Sequence, residues 1–141
     1  MTKPAQNPSV NTAFNSDYID SAILHLDGAS GLLWLMQTTL EPTATELPDS
    51  EAVGIIKTVH SLIQWAYDDL VKDQDCNGHV WTTVMQWLDG VRGGLSALRY
   101  GYLNECDLPN NKIQIAALHS LQAVIREALA YVSSYGDEGS V

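Results

Sequence analysis

The residues with the most chemical capacity are four histidines, at 25, 60, 79 and 119, two cysteines, Cys76 and Cys106, and the run Gly90-Val91-Arg92-Gly93-Gly94. Metal sites in helical bundles take glutamates from facing helices and a Glu three residues ahead of each ligating His. Here the residues three before His25, His60 and His119 are Ala22, Lys57 and Ala116, so no metal set is expected and the histidines read as boundary or surface side chains. The cysteines match neither CxxC nor a zinc spacing. Their acidic neighbours, Asp73 and Asp75, then Glu105 and Asp107, discourage the thiolate that a nucleophile needs, and free thiols are expected. The glycine-rich run lacks the lysine and the preceding strand of a phosphate cradle, and no GxSxG is present. No catalytic residue, metal or cofactor is expected, and the chain does not read as an enzyme.

Binding chemistry is a second possibility. Arg92 and Arg99, two helical turns apart, form the only basic line, with Tyr100 farther round. Arginine and tyrosine anchor many interfaces, which makes Arg92, Arg99 and Tyr100 candidate partner-binding residues. The competing reading is a solvated face with Asp89 paired to Arg92. Trp34, Trp65, Trp81 and Trp87 could line a cavity, with Trp87, Tyr102 or Trp34 touching a small apolar or aromatic molecule, although aromatics at helical spacing are more often core. Seven basic residues against seventeen acidic ones give a net charge of −10. That balance argues against nucleic acid and anionic membrane as partners through long-range repulsion, and neither is expected. A basic partner is compatible with it, so an acidic decoy for a nucleic-acid-binding protein is a further reading.

The elements that carry these residues are helical. With 141 residues the chain has the length of one domain with one core. Residues 1–16 hold Pro4 and Pro8 among Asn, Ser and Thr without periodicity and read as a flexible tail; they carry no signal-peptide pattern, and no stretch is apolar for long enough to span a membrane, so a cytoplasmic protein is expected. Segment A, from Asp17 to Leu40, repeats Tyr18, Ala22, Leu26, Ala29, Leu33, Met36 and Leu40 at steps of three and four, the period of one helix face. Segment B, entered through Pro48-Asp49-Ser50-Glu51, has the cleanest amphipathic pattern: Ala52, Ile56, Val59, Ile63, Ala66 and Leu70. Segment C carries Val80, Val84, Trp87, Val91, Leu95, Leu98 and Tyr102. Segment D, capped by Asp107 or Asn110, carries Leu118, Leu121, Ile125, Ala128, Val132 and Tyr135 before Gly136. The helical domain is expected over 17–136, with 137–141 frayed. Four helices of about 24 residues, each roughly 36 Å long and joined by short connections, predict an all-α, antiparallel up-down-up-down four-helix bundle.

Two segments carry more than one face. Segment A adds Leu24, Gly28, Leu32 and Leu35 outside its core line, leaving a narrow polar arc. Segment C adds Gly90, Gly94, Ala97 and Gly101 at steps of four, three and four. Interior glycine costs about 1 kcal/mol against alanine, so such a stripe points to a close contact. These eight residues are the expected self-association surface of a homodimer, with coverage by the tail or a tight crossing of segments A and C as the competing explanation and an unrelated protein partner as a third. The leading functional reading is a non-catalytic helical module that binds another protein as an inhibitor, regulator or adaptor. The alternatives are a small-molecule-binding bundle with an aromatic-lined pocket, and the acidic decoy.

Overall fold

A computed structural model describes the backbone of residues 9–41, 47–77, 80–104 and 109–139, with side chains over 17–41, 47–74, 80–104 and 109–135. Four helices and no strand occur among them: α1 (Ser9–Thr39), α2 (Asp49–Asn77), α3 (Thr82–Asn104) and α4 (Asn111–Gly139). These correspond to segments A to D, with α1 starting ahead of Asp17 and α4 running past Gly136. The side chains of 1–16 and 137–141, together with Cys76, His79, Cys106 and Asp107, lie outside the described residues. Where a cap is visible its chemistry is ordinary: Asn110 Oδ1 accepts from the Ile113 amide at 3.0 Å, meeting one of the donors that the first turn of α4 leaves open.

α1 packs on α2 and on α4, and α3 packs on the same two helices without approaching α1. The four therefore close a ring around one core. The repeating face of α2 is buried throughout, from Ala52 to Leu70, each large side chain contributing about 1.5–3 kcal/mol by leaving water. α1 buries Ala22, Leu26, Ala29, Leu33 and Met36, with Ile19 taking the inner place next to half-buried Tyr18. In α3 the inner line is Val84, Leu88, Val91, Leu95 and Tyr102, extended by Trp81 just ahead of the helix, so Trp87 and Leu98 are pushed to its margin. Trp87 there meets Tyr131 edge-on at 6.2 Å, and Trp81 meets Tyr135 at 4.9 Å, which extends the apolar α3/α4 contact outward.

Each seam also carries polar side chains. Across α1/α4, Gln37 Nε2 donates to Gln122 Oε1 at 2.9 Å and Gln122 Nε2 to Ser30 O at 3.3 Å, all three residues being buried. Across α3/α4, the buried Tyr102 hydroxyl donates to Gln114 Oε1, and Gln114 Nε2 donates to Pro109 O at 2.7 Å. Burial, and then the Asp49 carboxylate, raise the Tyr102 pKa above its usual 10.0, so the phenol stays a donor. Between α2 and the start of α3, Trp81 Nε1 donates to Asp73, a carboxylate that is almost wholly buried. Such bonds add little net energy when made but leave a costly unsatisfied group when broken.

The α3/α4 seam is the thinnest of the four, and it is where a glycine matters. A Cβ built on Gly94 would come within 2.7 Å of Leu121 Cδ2, whereas one on Gly90 or Gly93 meets nothing within 4 Å. The stripe on α3 is therefore split: Gly94 lets α4 approach within the chain, Gly90 and Ala97 are exposed, and Gly101 is half-buried. Replacing Gly94 by leucine should cost about 1–3 kcal/mol in urea unfolding, since a whole side chain must displace Leu121. Gly90→Ala should gain about 0.5–1 kcal/mol from helix propensity. Equal effects at the two positions would contradict this account of the seam.

Candidate functional site

The apolar side chains added to segment A emerge on one surface. Leu24 is 71% exposed and Leu35 53%. Gly28 and Gly31 present bare backbone beside them, and Leu32 is half-buried at the edge toward α2. The surface continues onto α2, because a Cβ on Gly28 would sit 3.6 Å from Leu62 Cδ1, and Trp65 is 53% exposed. At its margin the His25 ring lies 5.6 Å from the Trp65 ring, and His25 Nδ1 is 3.1 Å from Asp69 Oδ2. A carboxylate can only accept, so Nδ1 carries the hydrogen of that bond. That hydrogen bond also sets the His25 ring that Trp65 packs against.

Leu24, Gly28, Leu32, Leu35, Leu62 and Trp65 form an apolar set, bordered on the outer flank of α1 by Gly31 and the exposed Asp20 and Asp27. Exposed apolar groups scattered singly need no explanation, but a continuous set drawn from two helices does. Trp65 and Leu62 belong to this surface without having been singled out for it in the sequence. The available signal was their spacing of three along α2, off the Ala52-to-Leu70 face.

The basic line on α3 is divided. The Arg92 guanidinium donates to Gln64 Oε1 of α2 and to Asp89 Oδ1, and lies 4.7 Å from the centroid of the Tyr67 ring. It closes the α2/α3 seam through hydrogen bonds and a cation–π contact. Arg99 and Tyr100 are exposed. Arg92 and Arg99 still act together on His60: burial first, then Arg92 and Arg99, hold its imidazole below the usual 6.5.

Trp34 lies on the other flank of α1, in an open groove of about 500 Å³ with Gln37, His119, Gln122, Ala123 and Arg126. Of the tryptophans considered for a cavity it is the one that lines this groove; Trp81 is core. Among the described residues no three His, Cys, Asp or Glu side chains gather as a metal would require, and no helix is long and apolar enough to cross a membrane. Comparison with family models, curated proteins and solved structures finds no match.

The His60 environment gives a pH test. A histidine whose pKa is lower folded than unfolded binds fewer protons when folded, so its contribution to stability is present above pH 6.5 and lost as pH falls through the folded value. Between about pH 7.5 and 5 the wild type should lose more of its urea midpoint than His60→Gln does. Equal losses would show that burial and the neighbouring Arg92 and Arg99 do not hold His60 below its usual value.

Proposed function

We propose that this chain is a non-catalytic helical interaction module that works as a homodimer, two copies meeting through the apolar α1/α2 surface around Leu24, Gly28, Leu32, Leu35 and Trp65. The observation that carries the reading is the continuity of that surface across two helices. A lone water-facing helix flank keeps its leucines apart and its glycines few. Here Gly31 has open space above it and no packing role within the chain, which suits the close approach of a second backbone. A two-fold contact places the same patch on both sides and needs no complementary partner surface. The exposed Arg99 and Tyr100, on α3 and so across the ring from α1, remain for a different protein.

The bundle is read as antiparallel, up-down-up-down. What supports this is the falling order of partners across each seam. Gly28 faces Leu62 while His25 faces Asp69; Ser30 meets Gln122 while Leu40 O accepts from Asn111; Gln64 faces Arg92 while Asp73 faces Trp81; Gly94 faces Leu121 while Tyr102 meets Gln114.

Two copies at −10 each repel at long range, so the association must come from apolar burial. Added salt therefore tightens it by screening, whereas binding of a basic protein by an acidic decoy would weaken. Light scattering should give a dimer mass at micromolar concentration, more so in about 0.5 M salt. Leu24→Glu, at a side chain mostly in water, should keep the wild-type helix content and weaken the dimer at least about thirtyfold, because it buries two like charges near one axis. A wild-type monomer at high micromolar concentration, or an unaltered dimer for Leu24→Glu, would overturn the proposal.

A further inference from the structure

The groove between α1 and α4 lies off the proposed dimer surface and has its own chemistry. Its floor is the buried amide pair of Gln37 and Gln122. Gln37 Nε2 donates to Leu33 O at 3.2 Å and to Gln122 Oε1 at 2.9 Å; Gln122 Nε2 donates to Ser30 O at 3.3 Å and lies 3.4 Å from Ser30 Oγ. Because each Nε2 faces a backbone carbonyl, which only accepts, neither amide can be turned over. Every N–H of the pair is committed. Gln37 is 9% exposed, and its Oε1 accepts from no described residue, so the floor offers the groove an acceptor without a donor.

The rim offers the reverse. Arg126 makes no ion pair or hydrogen bond among the described residues, in a chain where acids outnumber bases seventeen to seven. His119 stands two turns before it on the same side of α4, and Ala123 between them is small enough to leave the floor open. An arginine fork suits a carboxylate, which it can hold through two parallel hydrogen bonds. The wall is Trp34, 56% exposed, whose flat indole favours an aromatic ring over an aliphatic chain. A volume of about 500 Å³ lies in the range of small-molecule sites.

We propose that this groove is a binding site for a small aromatic carboxylate that also carries a hydroxyl or amino donor: the carboxylate on Arg126 and His119, the ring on Trp34, the donor on Gln37 Oε1. The site stands independently of the dimer surface and assigns the chain a ligand in addition to a partner.

The test follows the tryptophan indole and glutamine side-chain signals of labelled full-length protein by NMR, with 4-hydroxybenzoate as the probe. Saturable shifts of the Trp34 indole, identified by its loss in Trp34→Phe, and of the Gln37 amide are expected. Arg126→Gln should weaken binding about tenfold, the size of a lost charge-assisted hydrogen bond, while Arg99→Gln leaves it unchanged. The neutral 4-hydroxybenzamide and the donorless benzoate should each bind several-fold more weakly. Arg126 is exposed, and an unmoved signal from buried Trp81 confirms that its variant is folded. Absence of saturable shifts, or equal affinity in Arg126→Gln, would overturn the proposal.

Discussion

The structure turns on one constraint: α1 is apolar around more of its circumference than two neighbouring helices can cover. It sits between α2 and α4 and gives them Ala22, Leu26, Ala29, Leu33 and Met36. Leu24 and Leu35 are left in water. A helix with so little amphipathic bias gains much from burial yet is poorly oriented by it, because several rotations about its axis hide a similar apolar area. What selects one rotation must be more directional than hydrophobic contact.

The polar pairs at the seams have that character. His25 with Asp69 sets α1 against α2, and Gln37 with Gln122 and Ser30 sets it against α4. Arg92 with Gln64 and Tyr67 sets α3 against α2, and Tyr102 with Gln114 sets it against α4. Rotating any helix by one residue, about 100°, would strand these groups away from their partners, at a cost of about 1–3 kcal/mol for each buried one. Apolar burial supplies the drive to assemble, and the side-chain hydrogen bonds restrict the result to one packing.

Much of this could be read along the chain, for a definite reason. The buried face of α2 repeats without interruption, so its period names all six core residues from Ala52 to Leu70. α3 has flanks of similar apolarity, and its period alone could not choose between Trp87 and Leu88 for the inner line; the choice depends on how α4 approaches over Gly94. The surplus leucines of α1 were legible as surplus, but not the α2 residues beside them, since nothing in one sequence says that Trp65 adjoins Gly28. Gln37, Gln122 and Arg126 were illegible as a group because they come together only through the rotation that the polar pairs impose. Arg92 showed its charge in the sequence and not its seam.

The central claim, that the surplus face of α1 meets its twin, is tested most directly by mixing ¹³C-labelled and unlabelled protein and recording only contacts between copies by isotope-filtered NMR. The account predicts intermolecular contacts from the methyl groups of Leu24 and Leu35 to those of the second copy and to its Trp65 ring. Intermolecular contacts confined to α3, or none at a concentration where the protein is dimeric, would contradict it.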